Sequence, residues 1–340
     1  MITLQTPSPT QWDAYVKSHS RAHALQLSAF GALKCAFGWQ DEIVALMRDG
    51  TIIGGAQLLF YRLPVKLGTV AYLPMGPYLS DETAQTDLWN AIRTTSKKHH
   101  ARFLKWEAGI FLDEAPPTFA SLGFVPSPQT IQPPNTVLID LSADEESILA
   151  RMNQGTRRKI RQSQKNDIHY YEATRADVSK FTAMMRITGE RNVFGVHEPA
   201  YYERAYDLSV TQGDAALFLA DHEGDCLAGV FVYKAGDTAW YMYGASANIK
   251  RNLMAAYGVQ WQAMLWAKAH GCVWYDMWGI PDADEATLEA EFQTRDDGLW
   301  GVYGFKRGWG GQIVRSVGAW DVVYHPLIYN AYKTYLKIRA

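Results

Sequence analysis

LFLADHEGDCLAGVFVYKAGDTAWYMYGAS, residues 217–246, decides the fold. The turn-forming stretches Asp221-His222-Glu223-Gly224 and Ala235-Gly236-Asp237 cut it into three runs rich in residues that suit strands. Downstream, Tyr257 to His270 (YGVQWQAMLWAKAH) has the apolar spacing of a helix and stops at Gly271, and CVWYDMW (272–278) reads as another strand. The order is strand, strand, strand, helix, strand.

The first half of the chain carries the same order. Glu42 to Arg62 reads as a hairpin, with the strand IVALM, a turn at Arg48-Asp49-Gly50 and the strand IIGGAQLLFYRL. A third strand spans Thr69–Leu73, the turn-rich MGPYLSD follows, a helix with Leu88, Trp89 and Ile92 on one face spans Thr86–His100, and a strand runs from Arg102 to Glu107. Each half then reaches a Gly-aromatic segment, LGFVP (122–126) in the first and GFKRGWGG (304–311) in the second. This duplication resembles two GNAT-type (acyl-CoA N-acyltransferase-like) domains, so the expected fold class is α/β with two tandem GNAT-like domains and mixed β-sheets. Ser127–Asn135, holding Pro128, Pro133 and Pro134, separates the halves, and the strand NTVLIDL follows it. The expected domains are 1–145 and 146–317, with a C-terminal helix in 318–340, its helical spacing clearest over Trp320–Lys337, packing back on the first.

A chain of 340 residues that is 48% hydrophobic and 20% charged supports two cores and excludes disorder or a fibrous repeat. A formal charge of −2 means that a polyanion must be met by a local basic patch. No apolar run approaches the roughly 20 residues that span a bilayer, and Met1–Trp12 lacks the features of a signal peptide. A cytoplasmic, monomeric protein without membrane insertion is expected. Cys35, Cys226 and Cys272 show no metal-ligand spacing and read as small apolar residues in a reducing compartment.

Three constellations carry possible chemistry. NQGTRRKIRQSQK (153–165) packs Arg157, Arg158, Lys159, Arg161 and Lys165 into a short helix, which suits phosphate binding; a solvated basic face explains it equally well. In WYMYGAS (240–246), strand alternation puts Trp240, Met242 and Gly244 on one face and Tyr241, Tyr243 and Ala245 on the other, and Tyr243 is a candidate hydrogen-bond donor to substrate, though aromatic strand residues more often fill cores. YDMWGI (275–280) and GVYGFKRGWGG (301–311) flank an acidic loop, and Lys306 in the second can steady an oxyanion or a phosphate; the alternative is a solvated lysine on a strand edge.

The absences also discriminate. Neither half has the R/Q-x-x-G-x-G/A loop that cradles a CoA pyrophosphate, since the chain runs NIKRNLMAAYG after WYMYGAS and PMGPYLSDETAQ at the corresponding point of the first half. Dinucleotide, P-loop and nucleophile-elbow motifs are missing, and the nine histidines form no ligand array, so neither a metal nor another cofactor is expected.

QLSAFGALKCAFGW (26–39), FLKWE (103–107), NTVLIDL, TRRKIR, EPAYYERA (198–205), LFLADHEG, WYMYGAS, AAYGVQWQAMLWA (255–267), YDMWGI and YGFKRGWGG together resemble the FemABX family of peptidyl transferases over nearly the whole chain. The resemblance implies that a peptidoglycan precursor binds at the first domain and the end of an aminoacyl-tRNA at the second. It implies that Lys34 holds the precursor's diphosphate, with Tyr201 and His197 beside it, that Tyr243 and Tyr257 line the substrate site, and that Arg157, Arg158, Lys159 and Arg161 meet tRNA phosphates. Glu107 falls near the acceptor amine, and Lys306 matches a lysine that assists the transition state. His197 stands where relatives can place an arginine, and the stretch after TRRKIR is too short for the helical arm of relatives that use lipid-linked precursor, which favours UDP-MurNAc-pentapeptide over lipid II. The rival functions are an N-acyltransferase with another acyl donor and a non-catalytic binder of precursor or RNA.

Overall fold

Asp49 and Gly50 both take positive φ (50° and 79°), the backbone that a two-residue hairpin turn requires, and they join the strands Trp39–Arg48 and Thr51–Arg62. Counting from the N-terminal strand β1 (Ile2–Gln5), these are β2 and β3, and β4 (Thr69–Pro74) pairs antiparallel with β3. The helices Pro9–Ser18 (α1) and Ser28–Ala36 (α2) lie between β1 and β2. After the short β5 (Tyr78–Leu79), helix α3 (Gln85–Lys98) carries the chain over to β6 (Ala101–Glu107), which runs parallel to β4. Leu88 and Trp89, each one helical turn before Ile92, join it in a core with Leu58, Phe60 and Leu104 of the sheet.

The structure is a computed structural model that describes residues 2–114, 119–192 and 195–339. The chain divides into two compact units, Met1–Gln132 with Arg315–Ala340, and Pro133–Val314. The first unit's sheet has the order β1-β2-β3-β4-β6-β15-β7, with β7 at Val125–Pro126 and β15 at Ala319–Val323.

The second unit repeats the plan. It opens with β8 (Asn135–Asp140), α4 (Glu145–Arg151), α5 (Gln154–Gln164), β9 (His169–Glu172), α6 (Val178–Asn192) and α7 (Pro199–Ser209). The antiparallel strands β10 (Ala215–His222), β11 (Asp225–Ala235) and β12 (Thr238–Ser246) follow, then α8 (Ala255–Ala269) and β13 (Trp274–Asp276), parallel to β12. The sheet order is β14-β8-β13-β12-β11-β10-β9, with α9 (Glu285–Glu291), α10 (Trp300–Lys306) and β14 (Gln312–Arg315) late in the chain. Its core gathers Val230, Val232, Val259, Met264, Tyr275 and Tyr303.

Three sequence expectations change. NTVLIDL pairs with β13 (Leu138 opposite Asp276), so it opens the second unit, and the boundary falls before it rather than near residue 145. The C-terminal segment is not all helix: Ala319–Val323 is a strand, β15, antiparallel to β6, and helix α11 starts only at Pro326 and runs to Arg339. Asp321 explains that strand, because it is fully buried and pairs with Lys105 Nζ at 3.3 Å while Tyr329 donates to it at 2.8 Å. The segment with Lys306 is helical, not a strand edge: α10 passes into a tight turn, Arg307–Trp309, closed by Gly310 at φ 76°. A Cβ there would sit 2.6 Å from the Arg151 carbonyl, so only glycine fits.

Candidate active site in the second unit

β12 and β13 are in register only from Thr238 opposite Trp274 to Trp240 opposite Asp276; β13 then ends while β12 continues to Ser246. A cleft of about 540 Å³ lies along the free part of β12, bounded by Tyr241 and Gly244–Ala247, the first turn of α8, and Phe305 and Lys306 of α10. Among the described residues five cations line it, Lys159, Arg191, Lys250, Arg251 and Lys306, and no acidic side chain does. Helix α8 adds to the positive field, because its N-cap, Met254, is left-handed (φ 60°) and its side chain makes no capping hydrogen bond to the first-turn amides.

Lys306 is 7% exposed. Its ammonium donates to the carbonyls of Trp278 (3.1 Å) and Gly279 (2.7 Å) and sits 5.6 Å from the centre of the Tyr241 ring. Burial lowers its pKa to about 7, against the opposing pull of Asp276. Asp276 is itself buried and shifted up to about 6; it accepts hydrogen bonds from Thr136 Oγ1 and, at 2.7 Å, from the Trp278 amide. Trp278 has φ 57°, a left-handed residue. The Asp276 carboxylate therefore holds the turn whose carbonyls hold Lys306.

Lys159 and Tyr257 form one wall: Lys159 Nζ donates to the Tyr257 hydroxyl at 2.9 Å, and the Tyr257 ring stacks on Trp309 with centroids 5.9 Å apart. Arg191 donates to the Ser246 carbonyl (3.1 Å) and to Asn248 Oδ1 (2.8 Å), and burial, then repulsion from Arg251, lowers its pKa. Lys250 is held by Glu223 and Asp225, each at 2.9 Å.

Tyr243 faces away from this cleft, contrary to strict strand alternation. A bulge in β12 sets Phe231 opposite Tyr243 but Val232 opposite Tyr241, so the extra residue, Met242, turns the two tyrosines to opposite faces. Tyr243 joins His197, Tyr201 and Tyr202: the His197 and Tyr201 rings stack at 3.8 Å, Tyr243 meets Tyr202 edge-on at 5.2 Å, and its hydroxyl donates to Tyr201 at 3.5 Å. Burial holds that hydroxyl well above its usual pKa.

The basic helix α5 divides its work. Arg157 donates to the carbonyls of Ala150 (3.0 Å) and Met152, capping the end of α4, while Arg158 and Arg161 are exposed and Lys159 turns into the cleft. Lys34 and Glu107 belong to the first unit. Lys34 is half-buried on α2, 5.2 Å from the centre of the Phe30 ring. Glu107, 4% exposed, accepts from the Tyr72 hydroxyl (2.5 Å) and the amides of Ile131 (2.5 Å) and Gln132 (3.1 Å), and burial raises its pKa.

Sequence reasoning passed over Arg191, Lys250, Arg251 and Asp276. The signal for two of them lay in NIKRN: where a glycine-rich pyrophosphate loop would stand, the chain places Lys250 and Arg251 ahead of an uncapped helix.

The FemAB family model matches residues 8–114, 122–225 and 214–337. The lipid II:glycine glycyltransferase of Staphylococcus haemolyticus (strain JCSC1435) is 25% identical over 394 aligned positions, covering 94% of this chain and 92% of that protein. An alignment longer than this chain means that the relative carries insertions absent here. Among solved structures, the crystal structure of FemX superposes with a TM-score of 0.85 at 23% identity, over 97% of this chain and 100% of that one. A tandem GNAT protein from the clavulanic acid biosynthesis pathway superposes with a TM-score of 0.55 at 11% identity, over 94% and 98% of the two chains, which puts the paired α/β units in the GNAT class of fold. With a family model spanning both units, the chain belongs to the FemAB family.

Proposed function

We propose that the protein is an aminoacyltransferase that moves an amino acid from aminoacyl-tRNA to the side-chain amine of a peptidoglycan precursor, UDP-MurNAc-pentapeptide or lipid II, working as a monomer in the cytoplasm. The observation that carries this reading is the acid-free cleft with Lys306 buried at its edge. The 3′ end of a charged tRNA brings phosphates and an ester into one narrow space. Arg191, Arg251 and the first turn of α8 suit the phosphates, and Lys306 suits the ester carbonyl.

The chemistry follows from those positions. The acceptor amine attacks the ester carbon, a C–N bond forms, and the oxygen becomes an oxyanion that the buried Lys306 ammonium steadies. The amine gives up its proton to a carboxylate, for which we propose Glu107 or the substrate's own carboxylate; collapse breaks the ester C–O bond, and the departing ribose oxygen takes a proton. Tyr257, on the cleft wall, is proposed to touch the acceptor, and Arg158, Lys159 and Arg161 the tRNA; for Lys34 in the first unit and for His197, Tyr201 and Tyr243 on the other face of β12, an acceptor-binding role is proposed from the family resemblance alone. The relatives named for lipid II favour a lipid-linked acceptor, whereas the insertions this chain lacks favour a nucleotide-linked one.

Incubating the protein with individual charged tRNAs and each acceptor, followed by mass spectrometry, tests the reading. One added residue on either acceptor supports it. No product from any charged tRNA, with acylation from an acyl-CoA instead, would transfer the protein to the other acyltransferases.

A further inference from the structure

We propose that one end of the first unit is a docking surface for an anionic lipid bilayer. The loop between β3 and β4 is closed by hydrogen bonds from the Leu63 amide to the Gly68 carbonyl (2.8 Å) and from the Leu67 amide to the Pro64 carbonyl (3.1 Å). It sets Val65, 86% exposed, and Leu67, 42% exposed, at its tip. Val65 and Lys66 are both left-handed (φ 48° and 58°), a backbone region that a β-branched residue rarely occupies. Asparagine or glycine would relieve that strain, yet an aliphatic side chain stands there in water.

Arg102 ties this loop to the C-terminal helix. Its Nε donates to the Leu67 carbonyl at 2.5 Å, and its own carbonyl accepts from the amides of Tyr324 (2.9 Å) and His325 (2.8 Å). Pro326 then opens α11, on which Leu327 is 77% exposed. From Leu327 the solvent face continues through Ala331, Tyr335 and Ile338 at helical spacing.

The charge at this end is predominantly positive, its acids being Asp41 and Glu42 of β2, opposite Leu59 and Leu58. Residues 50–80, 88–106 and 322–340 contain no Asp or Glu, although the whole chain is formally −2. At this end they contribute Arg62, Lys66, Lys97, Lys98 and Arg102, with His99, His100 and His325, and farther along α11 Lys333 and Lys337. Glu42 of β2 faces them and is already engaged by Lys98 (2.9 Å) and His99 (2.7 Å).

A nucleic acid would satisfy the cations but give nothing to Val65, Leu67 and Leu327. A second copy of the same surface would bring like charge against like. An anionic bilayer takes both features, the aliphatic side chains at the headgroup–acyl boundary and the cations on lipid phosphates. The contact would be peripheral and reversible, and no helix among the described residues is long and apolar enough to cross a membrane. This surface is independent of which acceptor the enzyme uses, and its test involves no transfer reaction.

The full-length protein is sedimented with vesicles of phosphatidylcholine alone and of phosphatidylcholine mixed with phosphatidylglycerol. Binding to the mixed vesicles, weakened by salt and nearly absent on the neutral ones, is expected. Arg62→Gln with Lys66→Gln should weaken it roughly 30-fold, and Val65→Asn, Leu67→Asn and Leu327→Asn together should abolish it. Leu112→Asn, at an exposed leucine elsewhere in the unit, should leave binding intact. Melting temperatures within error of the parent confirm that these surface changes leave the fold whole. Failure to bind either vesicle, binding that ignores the substitutions, or a loss confined to tRNA binding in Arg62→Gln with Lys66→Gln would each overturn the proposal.

Discussion

Lys306 and Asp276 form a pair whose charges exist together only in a narrow interval. Below about 6 the carboxyl is protonated, and above about 7 the ammonium is lost. If transfer needs the cation held in place by the anion, the rate peaks between these values and falls on both sides. Asp276→Asn keeps an acceptor for the Trp278 amide but removes the charge that favours the protonated lysine. The acid limb should vanish and the alkaline fall move to lower pH, which the pH dependence of kcat/KM would reveal; an unmoved alkaline limb would separate Asp276 from Lys306. Lys306→Met should lower kcat about 10²–10³-fold while acceptor binding, measured by calorimetry, stays unchanged. The linkage sign for stability is opposite to that for the alkaline activity limb: a lysine with a depressed folded-state pKa holds fewer protons folded than unfolded between about 7 and its usual 10.5, so this group makes the fold more stable as pH rises through that range. Of this pair, the sequence disclosed only Lys306, through its glycine-rich setting. Asp276 is hidden within YDMWGI, where nothing local shows that its carboxylate is turned inward beneath a left-handed tryptophan.

The elements divide into those that periodicity reveals and those that a single irregularity redirects. The β2–β3 hairpin, α3, α8 and β10–β12 were legible because Asp49-Gly50, Gly271 and the apolar spacing are local signals. The faces of Tyr241 and Tyr243 were not, because one bulged residue, Met242, inverts the alternation beyond it. Likewise, NTVLIDL looks like the close of the first half until its partner strand is known. In α5 the arginines separate by use. Arg158→Ala with Arg161→Ala should flatten the salt dependence of tRNA binding, reducing the log–log slope by roughly 1.5, without affecting stability. Arg157→Ala should instead cost about 1–2 kcal/mol of unfolding free energy through the carbonyls it caps, read by denaturant titration. Gly310→Ala forces a Cβ against the Arg151 carbonyl at positive φ; a lowered melting temperature and weakened transfer are expected together, because that turn follows directly on Lys306.

At the scale of the whole chain, the repeated element order revealed two α/β units and the C-terminal segment was expected to return to the first as a helix, while the strand it adds to the first sheet escaped a linear reading. β15, between β6 and β7, comes from beyond the second unit, and it buries Asp321 against Lys105. Deleting residues 315–340 should leave β6 and β7 without their common neighbour and Lys105 without its carboxylate, its bonds to Ser127 and the Gln129 carbonyl remaining. Hydrogen exchange followed by mass spectrometry should then show protection lost through the first sheet and kept in β10–β13; equal protection in both would mean that β15 is dispensable.

The placement of β15 also sets a clock for the cell. A ribosome adds about 5–20 residues per second, so the interval between finishing β7 and releasing β15 lasts roughly ten to forty seconds. During that time the half of the protein made first must wait with an open sheet edge, while the half made second has all its strands and can close around its core. The nascent N-terminal half is therefore the part that chaperones would have to shelter, and a stalled or prematurely ended message yields a product whose older half is the unfinished one.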